Sequence, residues 1–232
     1  MNIVIIGGVA AGASFAARAR RLDESAQITI VERGPDVSFA NCGLPYHIGG
    51  EIPARQSLAV QTPNSLKALL NLDVRTQCEA LRIDRAGKRI EVRDLKTGQN
   101  EWLSYDKLML SPGAAPLVPP LPGVNDARIF TLRNLVDMDR IAAAAIPGKR
   151  ALVVGAGFIG LEMAEQLKHK GLSVQLVEML PQILPQVDLK MTALLEGELR
   201  KNGIDLHLGE QVTRFECNDL EIRSHLASGG VL

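Results

Sequence analysis

The apolar residues of this chain fall into two differently spaced patterns that alternate. Ile3-Val4-Ile5-Ile6 is an unbroken apolar run and predicts a strand over Asn2–Gly7. The small and apolar positions of Ala10–Leu22 recur with helical spacing, and Gln27–Glu32 is again a strand. Strands without polar alternation suit a parallel sheet covered on both faces. The same order returns later, with a strand at Arg150–Val154, a helix at Phe158–Lys170 and a strand at Ser173–Val177. A helix at Leu189–Lys201 and a strand at Ile204–Leu208 follow.

Between the two units the pattern is more broken. Gly34–Gly50 reads as loop-rich. A short helix is expected after Thr62-Pro63-Asn64, capped by Thr62 or Asn64. Val74–Ile83 and Arg89–Leu95 read as a hairpin around Arg85-Ala86-Gly87. Lys107–Leu110 reads as a strand running into Ser111-Pro112-Gly113. Pro116, Pro119, Pro120 and Pro122, ending at Gly123, mark the best linker. Past Val212 no period is clear, and the last strand of the second domain is expected to be absent or irregular. The expected division is 1–115 and 116–232.

Composition narrows the class. With 46% hydrophobic and 22% charged residues the chain can bury an ordinary core. Its formal net charge of zero and lack of charge runs give no footing for nucleic acid or an anionic membrane. Aromatics, at 3%, are too few for base-stacking platforms. No uninterrupted apolar stretch reaches the ~18 residues of a membrane span. The apolar N-terminus lacks the leading positive charge of a signal peptide. Three cysteines, Cys42, Cys78 and Cys217, with no C-x-x-C pair, suit neither a disulfide framework nor a metal site. A reducing, cytoplasmic setting is expected.

Both strand-to-helix junctions carry glycines. Gly155-Ala156-Gly157-Phe158-Ile159-Gly160 is a complete G-x-G-x-x-G, and Glu178 ends the following strand. The glycines allow a tight turn, close approach of a pyrophosphate and close helix packing. The helix N-terminus offers free N–H groups, and the carboxylate accepts from ribose hydroxyls. Glu178 would repel a 2′-phosphate, and Met179 and Leu180 follow it, so NADH is expected, with NADPH as the alternative. Gly7-Gly8-Val9-Ala10-Ala11-Gly12, with Glu32 ending its next strand, is a variant in which Val9 replaces the middle glycine. The fold class expected is therefore α/β with two Rossmann-like, doubly wound nucleotide-binding domains. FAD with NAD(P)H is the commonest cofactor pair in such an arrangement.

Cys42 lies in Ser38-Phe39-Ala40-Asn41-Cys42-Gly43-Leu44-Pro45-Tyr46, just after the first ribose-binding strand. There a loop can pass over a flavin. If Cys42 begins a helix, the dipole favours thiolate. At the spacing of a two-cysteine redox centre, the second place holds His47, so an internal dithiol is excluded. A lone cysteine cycles as a mixed disulfide, persulfide or sulfenic acid. Cys78 and Cys217 read as structural.

The glycine motif taken with Ser38–Tyr46 resembles the pyridine nucleotide-disulfide oxidoreductases, in the group of coenzyme A-disulfide reductases, NADH-dependent persulfide reductases and NADH oxidases. Tyr105–Ala114, Thr131-Leu132-Arg133-Asn134 and Met179–Pro185 fit the same family, and the likeness covers residues 1 to about 215. The resemblance implies that Cys42 is the redox nucleophile and that Ser38 and Asn41 line the thiol pocket. It implies Gly7, Val9, Ala10, Gly12, Glu32, Arg33, Asn41, Cys42, Ala80, Ser111, Gly113 and Arg133 for cofactor binding. Gly155, Gly157, Phe158, Ile159, Gly160, Glu162 and Glu178 join them, with Phe158 as an aromatic gate and Glu162 beside the nicotinamide. Ser14, Arg18 and Arg21 share a helix face, which the family likeness turns toward the phosphates of coenzyme A.

Two departures stand. Leu70, and not Lys67, occupies the place of a coenzyme A-binding lysine. The second half of the flavin domain and the dimerisation domain, which the family places after the nicotinamide domain, are expected beyond position 232, with a homodimer in full-length relatives. The expected activity is FAD-dependent electron transfer from NAD(P)H through Cys42 to a small-molecule disulfide or persulfide such as coenzyme A disulfide. The alternatives are an NADH oxidase or peroxidase using a sulfenic acid, and a non-catalytic dinucleotide-binding fragment.

Overall fold

The structure is a computed structural model and describes residues 1–232. In chain order the first elements are β1 (Asn2–Ile6), α1 (Ala11–Leu22), β2 (Gln27–Glu32), α2 (Leu44–Gly49) and α3 (Pro63–Leu70). Next come β3 (Asp73–Thr76), β4 (Cys78–Asp84), β5 (Arg89–Asp94), β6 (Asn100–Ser104), β7 (Lys107–Leu110) and α4 (Leu135–Ala144). The remainder is β8 (Arg150–Val154), α5 (Phe158–His169), β9 (Ser173–Glu178), α6 (Leu189–Lys201), β10 (Ile204–Leu208), β11 (Val212–Cys217) and β12 (Ile222–Leu226). No helix is long and apolar enough to cross a membrane.

The chain forms two compact units, Met1–Ala40 with Gln56–Ala115, and Asn41–Arg55 with Pro116–Leu232. The first holds a parallel sheet in the order β3-β2-β1-β7 and an antiparallel sheet β4-β5-β6. The unbroken apolar runs are explained by what covers each face. Ile3, Ile5, Ile28 and Ile30 point to one side, into a core with Ala16, Leu66 and Leu72. Val4 and Val31 point to the other, where Cys78, Ile90 and Val92 of the antiparallel sheet meet them. A strand buried on both faces has no use for polar alternation.

The second unit holds the parallel sheet β10-β9-β8 and the hairpin β11–β12. That hairpin corrects the expectation of an irregular tail after Val212. Its β11 side includes Arg214 and Glu216, exposed polar residues that hide the strand period. Two further corrections fall in the first unit. The expected strand 74–83 is two strands in different sheets, broken at Gln77, whose φ of 52° is left-handed. Strand β6 also completes a three-stranded sheet where only a hairpin was expected. In the second unit, helix α4 went unanticipated, although Asn134 caps it by accepting from the Asp137 N–H at 2.9 Å. The loop expected over Gly34–Gly50 contains a 3₁₀ turn at Asn41–Gly43 and then α2.

Candidate functional site

In the first unit, β1 is flanked by β2 and β7, so the sheet reverses its strand order at the carboxyl end of β1. Ligands of open α/β sheets sit at such a reversal. Gly7 turns there with φ 91°, and a Cβ on it would run into the Ser111 carbonyl. Ser111 Oγ donates to the Ile6 and Gly7 carbonyls at 2.8 and 3.1 Å and fixes the end of β7 against the turn. Gly12 lies so close to Gly7 that a Cβ would strike the Gly7 carbonyl. Glu32 accepts from the N–H of Gly8 at 2.8 Å and from that of Gly34 at 2.7 Å.

The second unit repeats the glycine turn and its carboxylate, but β8 is an edge strand and no counterpart of Ser111 packs on Gly155. Gly155 has φ 103°, and a Cβ on Gly160 would strike the Gly155 carbonyl. Glu178 accepts from the Ala156 N–H at 2.8 Å and the Leu180 N–H at 2.9 Å. The Gly8 carbonyl accepts from Ser38, and the Ala156 carbonyl from Leu184. Ser38 and Leu184 share a left-handed backbone, with φ 46° and 44°. Sequence reading missed this second layer, in which the chain after the acidic strand end folds back onto the glycine turn. A positive φ at serine or leucine leaves no trace in residue type.

The departure at Val9 also has a local reading. Its counterpart Gly157 faces open space, with nothing within 4 Å of an added Cβ. A side chain is therefore sterically allowed at that place in the turn itself. The same open space beside the N-terminus of α5, where the first N–H groups have no partner within the helix, fits a pyrophosphate. Phe158 and Ile159 stand exposed at that helix start.

The remaining predicted residues distribute as follows. Ser14, Arg18 and Arg21 are exposed on α1, whereas the neighbouring Arg20 is tied down by the carbonyls of Leu70, Asp23, Glu24 and Asn71. Arg33 pairs with Glu79 at 3.6 Å. Ala80 is half-buried on β4, and Gly113 turns with φ 68°. Lys67 donates to Asn71 Oδ1 on α3's own last turn.

The Cys42 segment belongs to the second unit. Cys42 is exposed in the 3₁₀ turn that leads into α2. Helix α2 buries Leu44, Pro45 and Ile48 and packs against α4 and α5. Asn41 Nδ2 reaches the Arg133 carbonyl at 3.5 Å. His47 Nδ1 lies 2.6 Å from the Ile52 carbonyl, which requires the proton on Nδ1, and closes the turn after α2. The Tyr46 hydroxyl lies 3.5 Å from Glu162 Oε1, and the nearby carboxylate charge raises the phenol's pKa. Cys78 is buried, and burial likewise raises its thiol pKa. Cys217 closes strand β11.

Two copies of one glycine turn, each answered by a carboxylate at the next strand end, define a protein with two dinucleotide-binding folds. The profile of the pyridine nucleotide-disulphide oxidoreductases matches residues 1–232, and the chain belongs to that family. FAD and NADH or NADPH are the cofactors of the family. The chain is 36% identical to a coenzyme A disulfide reductase of Staphylococcus haemolyticus, over 98% of this chain and 50% of that one. It is 33% identical to an NADH oxidase of Enterococcus faecalis, over 94% and 49%. Among solved structures, reduced Bacillus anthracis CoADR-RHD superposes with a TM-score of 0.95 at 44% identity, covering 100% of this chain and 42% of the other. An NAD-dependent persulfide reductase from A. fulgidus gives 0.95 at 36%, covering 100% and 43%. The chain thus spans about half the length of the relatives it matches.

Proposed function

We propose that the chain carries the electron-input half of an FAD-dependent, NADH-driven reductase of a small-molecule disulfide or persulfide, of the coenzyme A type. The duplicated glycine–carboxylate turn carries this reading, because one chain with two dinucleotide sites is built to move electrons between two cofactors. When bound, NADH supplies a hydride and FAD takes it up. The Gly7–Gly12 turn with Glu32 would hold FAD, and the Gly155–Gly160 turn with Glu178 would hold NADH. Both oxygens of Glu178 accept from backbone N–H groups, which holds the side chain at the end of β9 beside the glycine turn, where a carboxylate would disfavour a 2′-phosphate.

Cys42 is the nucleophile in this reading. Its thiolate attacks one sulfur of the acceptor, forms a mixed disulfide and expels the other half as a thiolate. Two electrons delivered by way of bound FAD would then cleave the mixed disulfide, for an overall balance in which NADH, a proton and RSSR give NAD⁺ and two RSH. Exposure of Cys42 and the presence of His47 where a second cysteine would stand both suit an external acceptor. Ser14, Arg18 and Arg21 offer a polar, cationic helix face for an anionic substrate.

The experiment is NADH consumption by the FAD-reconstituted chain with coenzyme A disulfide, coenzyme A persulfide or oxygen as acceptor. Cys42→Ser is expected to lower the rate with both sulfur acceptors by at least ~100-fold, as loss of a nucleophile does. An undiminished rate would remove the cysteine from the chemistry. The Enterococcus faecalis relative supports a second reading as an NADH oxidase, which a faster rate with oxygen than with either sulfur acceptor would favour.

A further inference from the structure

Helix α5 begins at the second glycine turn, and its residues Phe158, Glu162 and Gln166 follow at a spacing of four, so they lie along one face. Gln166 is the anomaly on that face. It is only 1% exposed, and its Nε2 donates to Glu51 Oε1 at 2.7 Å. Its Oε1 is buried without a hydrogen-bond partner. A polar side chain buried this deeply on a surface helix of a nucleotide-binding domain needs a reason.

The reason lies across the contact. A Cβ on Gly49 would strike Gln166 Oε1, so the Cα–H of the last residue of α2 points at that oxygen. Such a C–H···O approach is weak, but it is open only to glycine. The Gly49 backbone is not in the left-handed region, so the glycine is there for closeness and not for a turn. Gly50, next to it, does turn, with φ 95°. Glu51 then comes back to meet the amide, with His169 Nδ1 of α5 3.9 Å from the same carboxylate oxygen. One helical turn toward the nucleotide end, Tyr46 meets Glu162. At the far end of the segment, Arg55 Nε lies 3.0 Å from both carboxylate oxygens of Asp139 on α4.

We propose that Gln166 and Glu51 are positioning residues which clamp the Cys42 segment, Asn41–Arg55, to the helix that starts at the nicotinamide-nucleotide turn. The redox cysteine would then ride on the nucleotide-binding unit, its place set from α5. This rests on the reading of Cys42 as the nucleophile, which deepens it with two residues that touch neither sulfur nor cofactor. A six-residue helix cannot hold itself in water, so its order comes from packing: Leu44, Pro45 and Ile48 supply the apolar part, and Gln166–Glu51 is the polar anchor with a fully buried member.

The test is hydrogen exchange in the full chain, read by mass spectrometry at the amides of residues 44–52. Glu51→Ala, at a half-exposed position that leaves the core intact, is expected to speed exchange there by ~10-fold or more and to leave β8 and β9 unchanged. Gln166→Glu sets two carboxylates against each other and is expected to do the same. Adding Glu51→Gln to Gln166→Glu restores one amide–carboxylate pair with the roles reversed, and exchange should return to within ~3-fold of the parent chain. The rate of Cys42 alkylation by iodoacetamide at fixed pH, followed on its own peptide, should change in Gln166→Glu and return in the swapped pair. General destabilisation would instead speed exchange in β8 and β9 as well, which overturns the clamp. Unchanged exchange in Glu51→Ala, or no recovery in the swapped pair, overturns the clamp. Retained turnover in Cys42→Ser overturns the functional reading instead and leaves these exchange results standing.

Discussion

At the scale of single residues, the two nucleotide turns separate steric demand from ligand demand. Gly160 has no room for a Cβ because the Gly155 carbonyl is in its path, whereas Gly157 faces open space. Gly160→Ala should therefore cost folding stability directly, by about 1–3 kcal/mol as overpacking does. Gly157 has an extended backbone with φ −75°, which alanine adopts without strain. Gly157→Ala should leave thermal stability within about 0.5 kcal/mol of the parent and weaken NADH binding by less than ~10-fold, since Val9 stands at the same place in the turn read as the FAD site. Urea melts and NADH fluorescence titration on the two variants check both halves of the expectation. The residue types of both turns were legible because backbone geometry there restricts the chain to glycine. What the motif does not encode is the contact between Glu178 and the Ala156 N–H, or its twin between Glu32 and Gly8. A carboxylate at a strand end reads the same whether it faces solvent or a peptide group.

At the scale of elements, the strongest local signals gave the most accurate boundaries. Gln27–Glu32, Lys107–Leu110, Leu189–Lys201 and Ile204–Leu208 are found as read. The helix expected after Thr62-Pro63-Asn64 starts at Pro63, with Thr62 and not Asn64 as its cap: the Thr62 side chain accepts from the Ser65 N–H at 3.1 Å, and Ser65 Oγ accepts from the Thr62 N–H at 2.9 Å. Thr62→Ala removes half of that reciprocal cap and should destabilise the chain by about 1 kcal/mol, with Thr62→Ser close to neutral. A chemical denaturation curve would show it as a lower midpoint at unchanged slope. The elements that escaped reading share a cause. Helix α2 is too short for a period to register. The break at Gln77 is a tertiary choice, because its N–H is held by the Gly34 carbonyl and its own carbonyl by Leu95. Strands β6, β11 and β12 carry exposed polar residues on open faces, and the apolar alternation is diluted there.

At the scale of the whole molecule, the decisive property is that the same device is built twice, once in each compact unit. Each sheet closes its own core, Ile3, Ile5, Ile28 and Ile30 in one unit and Val177, Val212 and Leu226 in the other. The second glycine turn makes its hydrogen bonds within its own unit: the Gly155 N–H to the Val177 carbonyl, the Ala156 N–H to Glu178, and the Leu184 N–H to the Ala156 carbonyl. The first turn does likewise, with Val31, Glu32, Ser38 and Ser111. Damage to one turn should therefore not propagate to the other. Gly12→Val forces a branched side chain against the Gly7 carbonyl and is expected to abolish flavin absorbance in the purified, FAD-reconstituted chain. NADH affinity in that variant should stay within ~2-fold of the parent, as sites without shared partners behave additively. Gly160→Val is expected to give the converse, flavin retained and NADH binding lost. A chain in which either substitution removes both ligands would mean that the two units do not bind independently, and the electron path would then have to be sought in a single shared site.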